Sequence, residues 1–250
     1  HYLFSTNHKV IAVQYLINGL IFLAIGGVMA WLIRWQLAHP WQPIPFIGKL
    51  LFPNSGGAVT PEAYPMLFTM HGGIMVFFAM TPVLLGAMGN YTIPLEVGAR
   101  DMAFPRLNML SYWFLFLGSV LLIASFFVPE GAAGFGWTVY APLSSSTQVS
   151  PGWGQDLFIL GLALDAVSIL MGGINYITTI LQLRAPGLTL RRLPLTLWGH
   201  HMFTSGMNPL VGKAFMFLTI TISVPTAIFF LNWLATLWRG AIRLTVPMLF

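Results

Sequence analysis

Long stretches without a single charge constrain this chain more than any other feature. Residues 10–33 carry none and are closed by Arg34. At about 1.5 Å per residue they cover roughly 36 Å, enough to cross a hydrocarbon core of about 30 Å with some tilt. Four further stretches follow. Glu62 and Glu96 bracket one whose apolar body, 64–91, is expected to stop at Pro94. Others lie between Arg106 and Glu130, over 157–183 with Asp165 inside, and between Lys213 and Arg239. The predicted spans are therefore about 10–34, 65–93, 107–129, 157–183 and 214–238. Each is apolar on all sides and lacks the alternation of a barrel strand. Only helices or closed barrels satisfy their backbone in lipid, so the expected fold is an all-α polytopic transmembrane helical bundle, a single membrane domain over 1–250.

Composition agrees. Charged residues make up 7% of the 250, against about 25% in an ordinary soluble domain. Eleven basic and six acidic side chains cannot cover the surface of a water-soluble fold when 57% of residues are hydrophobic. The net charge of +5 is spread singly between apolar stretches rather than in a basic run, which excludes a nucleic-acid binder and matches membrane flanks. There is no cysteine. Disulfides and thiolate-bound metals are excluded, and any metal must be held by His, carboxylate or Met. The polar start, His1 to Lys9, leads into the first span without a small-residue cleavage site, so that span is read as retained.

Loop charge orients the bundle. Lys9, Arg100, Arg106, Arg184, Arg191 and Arg192 place the N-terminus and the 94–106 and 184–192 loops on the cytoplasmic side, while the 129–156 loop has no Lys or Arg. Arg239 and Arg243 should lie on that side too, which requires an even number of spans after Arg192. The 214–238 stretch supplies one, and 193–209 is too short and polar for another. Either the rule fails here or sequence is missing near Trp198 and Gly199. In the second case those two Cα atoms should lie much farther apart than the 3.8 Å of a peptide-bonded pair.

Polar residues inside a membrane are costly and are functional candidates by default. His71 lies in Thr69-Met70-His71-Gly72-Gly73. A neutral imidazole can ligate haem iron, and the two glycines would let a flat macrocycle approach. The plainer alternative is a helix-packing histidine bonded to a carbonyl. His200 and His201 suit copper or zinc, but adjacent helical residues diverge by about 100°, and a polar helix end explains them as well. Asp101 sits between Arg100 and Arg106 as a solvated ion pair or a proton-collecting entrance. Asn90, Asn108, Ser168 and Asn175 could order a water chain or simply glue helices together. Asp165 in mid-span needs a partner, a water cavity or a proton.

Taken together, several motifs resemble subunit I of the haem–copper oxidases, the cytochrome c oxidase type. They are LFSTNHK at 3–9, LFTMHGGIMVFF at 67–78, GNYTIP at 89–94, GARDMAFPRLN at 98–108, GWTVYAPLS at 136–144, GGINYITTILQLRAPG at 172–187 and HHMFTSGM at 200–207. The resemblance implies that His71 is an axial ligand of a low-spin haem and that Arg34 contacts that haem's edge. It implies that His200 and His201 are two of three copper ligands beside a high-spin haem. Asp101 then stands at the mouth of the main proton pathway, with Asn90, Asn108, Ser168 and Asn175 along its lower half. The implied activity is a proton-pumping terminal respiratory oxidase that reduces dioxygen to water. Its electrons would come from cytochrome c through a dinuclear copper site in another subunit, within a bacterial plasma membrane.

The chain departs from that pattern in four places. The His-Pro-Glu-Val-Tyr segment, expected where Trp198 meets Gly199, is absent, and so is the late His-x-His segment expected after Phe250. The chain therefore reads as part of a longer subunit. Phe229 replaces the lysine of a second proton route, and Gln36 replaces a carboxylate of a non-redox cation site. A quinol oxidase, a nitric oxide reductase-like relative and a non-catalytic haem-binding subunit are the alternatives.

Overall fold

The computed structural model describes residues 2–140 and 152–188. The stretch expected over 214–238, His200, His201, Phe229 and the Trp198–Gly199 junction lie outside the described residues. Among the described residues there is no strand. Four helices are long and apolar enough to cross a membrane: α1 (His8–Ala38), α2 (Ala63–Val97), α3 (Pro105–Phe127) and α4 (Gly154–Gln182). The chain is an integral membrane protein, a helical polytopic bundle.

Local chemistry sets the helix ends. The Asn7 side chain caps α1 by accepting from the Lys9 amide at 2.9 Å. Pro105 occupies the first turn of α3, where a missing N–H costs nothing. α2 does not stop at Pro94 as expected. It continues through the proline to Val97 and ends at Gly98, whose φ of 75° is left-handed. A proline inside a helix leaves the carbonyl four residues back without its donor, here that of Asn90. The imidazole Nδ1 of His8, from the first turn of α1, lies 2.8 Å from that oxygen. A side chain of the neighbouring helix thus supplies the bond the proline cannot make, and the helix survives. Between its α-helical ends, over Ile74–Met80 and Pro82–Gly89, α2 widens to π-helical turns. These wider turns accommodate Pro82 in mid-span without breaking the helix.

Packing is inverted relative to a soluble protein. Leu20, Ile21, Leu84, Ile177 and Leu181 face outward, whereas Asn18, Asn90, Asn108, Asp165, Ser168 and Asn175 are buried. Outward apolar side chains suit lipid, and the polar groups are kept away from it. Tyr15, Phe22 and Met29 of α1 recur at one face and meet Ile74 and Phe78 of α2 and Phe158 of α4 in one buried cluster. Phe22 and Phe78 pack with ring centroids 5.5 Å apart.

α3 and α4 approach backbone to backbone. A Cβ on Gly118 would sit 2.7 Å from the Gly161 carbonyl oxygen, and one on Gly161 would sit 2.9 Å from that of Gly118. Small residues at such a crossing allow the close contact that drives helix association in lipid. Gly118→Val should therefore destabilise the bundle by about 1–3 kcal/mol through forced separation of these helices. Earlier loss of monodisperse protein on heating in detergent would report it. Gly173→Ala, where an added Cβ meets nothing within 4 Å, should be nearly neutral in the same assay.

Candidate functional site

Two groups of residues occupy opposite halves of the bundle. The first is built around His71, eight residues into α2. Its Nδ1 lies 2.9 Å from the carbonyl oxygen of Gly26 on α1, and among the described residues the ring hydrogen-bonds through this nitrogen alone. A carbonyl only accepts, so Nδ1 carries the proton and Nε2 presents its lone pair. A packing histidine would make this bond. It is equally the bond that sets the tautomer and orientation of a ligating imidazole. His71 is half-buried, and its Nε2 has no hydrogen-bond partner among the described residues. The donor set therefore fits an axial haem ligand.

The two glycines after His71 lie against aromatic side chains. A Cβ on Gly73 would lie 2.8 Å from the Phe158 ring, and one on Gly72 would touch Trp137 at 3.5 Å. They admit aromatic side chains of the protein itself. The Gly136 amide donates to the Thr69 hydroxyl at 2.8 Å, which pins the loop carrying Trp137 onto α2 beside His71. Arg34 is exposed near the C-terminal end of α1, in the same half of the bundle as Gly26.

The second group begins at the loop between α2 and α3. The Asp101 carboxylate accepts from the Met102 amide at 2.7 Å. α4 clamps the residues that follow. The Phe104 amide donates to Asn175 Oδ1 at 2.8 Å, and Asn175 Nδ2 donates to the Phe104 carbonyl at 3.3 Å. The Ala103 amide donates to the Thr179 hydroxyl at 2.9 Å, and that hydroxyl donates to the Asn175 carbonyl at 2.7 Å. Asn175 therefore holds the loop bearing Asp101, a role that sequence reasoning did not foresee. Thr179, one turn farther along α4, was missed. An i, i+4 polar pair on an apolar helix was its only signal.

Beyond the loop the polar groups form a file. Asn90 Nδ2 lies 2.6 Å from the Gly86 carbonyl and 2.9 Å from the Tyr176 hydroxyl, while Asn90 Oδ1 has no hydrogen-bond partner. Asn108 is fully buried, and both its side-chain oxygen and nitrogen are unpartnered. An amide left bare in an apolar interior costs about 1–3 kcal/mol, so these atoms mark where small polar molecules would be held. The Ser111 hydroxyl donates to the Asn108 carbonyl at 2.7 Å. It lies 2.8 Å from the Tyr15 hydroxyl, which in turn lies 3.1 Å from the Ser168 hydroxyl. Because the Asn108 carbonyl can only accept, one direction satisfies the whole file: Ser168 donates to Tyr15, Tyr15 to Ser111, and Ser111 to the carbonyl. Tyr15 and Ser111 were also missed from sequence, since an aromatic or a serine at helical spacing reads as packing.

All four asparagine and serine candidates are thus buried between the helices, but in separate bonds: Ser168 joins the hydroxyl chain through Tyr15 of α1 to the Asn108 carbonyl, Asn90 bonds Tyr176, and Asn175 grips the loop. His71 and Arg34 belong to the other half of the bundle.

Known proteins agree in kind. The family model described as "Cytochrome C and Quinol oxidase polypeptide I" matches residues 10–199 and 195–250. The chain is 32% identical, over 362 aligned positions, to the "Alternative cytochrome c oxidase subunit 1" of Bradyrhizobium diazoefficiens, covering 100% of this chain and 59% of that protein. It is 30% identical to the cytochrome c oxidase subunit 1 of Corynebacterium efficiens, covering 98% of this chain and 56% of the relative. The same holds for that of Corynebacterium diphtheriae at 30% identity, 98% of this chain and 58% of the relative. The chain spans less than two thirds of the length of these relatives. With the family model matching nearly all of it, this four-helix array of buried polar groups belongs to the cytochrome c and quinol oxidase polypeptide I family, subunit I of the haem–copper oxidases.

Proposed function

We propose that this chain is part of the catalytic subunit of a terminal respiratory oxidase. The whole subunit would take electrons from cytochrome c through a partner subunit with a dinuclear copper site, reduce dioxygen to water, and pump protons across a bacterial plasma membrane. One observation carries the reading. A histidine whose tautomer suits metal ligation and a buried polar file leading in from a carboxylate loop share four helices, each in its own half.

His71 would hold the low-spin haem through Nε2, with Arg34 beside the haem's edge. His200 and His201 would hold copper beside a high-spin haem. When bound, the haems and copper supply one-electron transfer and dioxygen chemistry. The protein's own part is proton delivery and orientation. Gly26 keeps the His71 proton on Nδ1. Asp101 collects protons at the cytoplasmic face, and Asn175 with Thr179 fixes its loop against α4. The uncovered amides of Asn90 and Asn108 would hold water, and the Ser111–Tyr15–Ser168 hydroxyls continue the path inward. Inward passage requires the hydroxyls first to rotate so that Ser111 donates to Tyr15 and Tyr15 to Ser168, opposite to the order set by the Asn108 carbonyl, and a proton that then passes restores that order.

We also propose that the chain lacks a segment between Trp198 and Gly199 and a further one after Phe250. Two observations support the first break. The family model matches in two pieces that meet at 195–199, and one relative aligns over 362 positions although the chain has 250 residues. The intact protein is expected to weigh well above 27.6 kDa, with peptides between Trp198 and Gly199 recovered by mass spectrometry. A native mass of 27.6 kDa would overturn this.

His71→Ala should abolish the low-spin haem band in reduced-minus-oxidised spectra while the protein still inserts. An intact low-spin spectrum would refute the ligand assignment. Asp101→Asn should slow turnover on the order of 10²-fold with haem content unchanged. Normal turnover with normal proton uptake would reduce Asp101 to a surface charge. Carbon monoxide binding to one of two haems separates the oxidase from a haem-binding subunit, which would show one low-spin haem only.

A further inference from the structure

Asp165 is not used by the proton file just described. It lies near the middle of α4, is 1% exposed, and its Oδ2 has no hydrogen-bond partner among the described residues. A carboxyl placed so deep between apolar helices requires a reason. It borders a cavity of about 100 Å³ whose lining includes Tyr15, Thr81, Gly86, Ser168 and Tyr176. That space is large enough for water, and Asp165 Oδ2 with the hydroxyls of Thr81, Ser168 and Tyr176 offers it polar partners. The cavity adjoins the file at two points. Tyr15 and Ser168 are hydrogen-bonded members of it, and Tyr176 bonds Asn90.

Among the described residues, those facing Asp165 do not include a cation. The cavity's titratable groups besides Asp165 are Tyr15 of α1 and Tyr176 of α4. α2 contributes Thr81 and apolar groups, and α3 passes Asp165 at Gly118, a Cβ on which would lie 3.6 Å from the Asp165 amide nitrogen. Among the described residues the polar surroundings of Asp165 are hydroxyls, which can donate to the carboxylate or accept from the acid.

We propose that Asp165 is a proton-holding station in the membrane interior, loaded and emptied through water in the Tyr15–Ser168–Tyr176 cavity. A cavity water that has accepted a proton from the file passes one on to Oδ2 of the Asp165 carboxylate and is left neutral. The carboxylic acid later returns it to another cavity water, and the carboxylate is restored. No electron moves on Asp165 itself. This deepens the proposed function and rests on it, since the proton's destination is the oxygen-reducing centre of the complete subunit.

The test uses the complete oxidase with infrared difference spectra recorded during pH perfusion, which need no turnover. Wild type should show the carbonyl stretch of a protonated carboxylic acid that shifts in D₂O. Asp165→Asn should remove that band. It should also slow proton uptake on the order of tenfold or more, with the haem spectrum unchanged, and Asp165→Glu should keep a displaced band and most of the rate. An unaltered acid band in Asp165→Asn, or proton uptake at the wild-type rate, would overturn the proposal. If Asp165→Asn fails to assemble, the Asp165→Glu displacement and isotope labelling of aspartate in wild type decide the same question. A wild-type protein with the acid band but no dioxygen reduction would instead refute the proposed function and leave Asp165 as a proton carrier for other chemistry.

Discussion

A polar group carried into hydrocarbon must find its partner inside the protein, because no water surrounds the helix to supply one. The whole arrangement follows from that constraint. It requires helices, and it turns the apolar side chains outward. It gathers Asn90, Asn108, Asp165, Ser168 and Asn175 between the helices rather than on their surfaces. It also makes every unpartnered atom informative. A bare Asn108 amide on a soluble surface would mean nothing, whereas fully buried in the first turn of α3 and without a partner among the described residues it points to something held there.

The same constraint explains how helix breakers are tolerated. Pro94 should end α2, yet the carbonyl it strands is met by the His8 imidazole of α1. That single contact couples the start of the first span to the end of the second. It also keeps α2 helical as far as Gly98, directly before the loop that bears Asp101. The loop in turn is tied to α4 through Asn175 and Thr179. The carboxylate's position is thus set by three helices, none of which carries it.

The two halves of the bundle are built from different bonds. Around His71 a backbone carbonyl and aromatic packing dominate, which suits an imidazole that must keep one orientation. Around Tyr15 and Ser168 the bonds run between hydroxyls, each able to donate or accept, which suits proton movement. Rigid ligation and reversible hydrogen bonding are chemically opposed demands, and separating them along the helices allows both.

Four of the spans and their helical nature were legible in the sequence, and so was which side chains within them are polar, because charge-free length and the cost of intramembrane polarity are properties of composition along the chain. So was the resemblance carried by short motifs such as GARDMAFPRLN. Which polar residues bond to which was not. Nothing local to Asn175 says that it grips Phe104, seventy-one residues away. Nothing near Tyr15 says that its hydroxyl bridges serines on two other helices. Pro94 read locally is a stop, and only the approach of His8 removes the penalty. Nothing local to Gly72 and Gly73 says that Trp137 and Phe158 come to lie against them. The sequence by itself determined that this protein crosses the membrane as helices and which side chains would be costly there. Helix packing alone decided which of those costs are met by neighbours and which are left open beside a cavity, because partners on different helices meet only when the bundle closes.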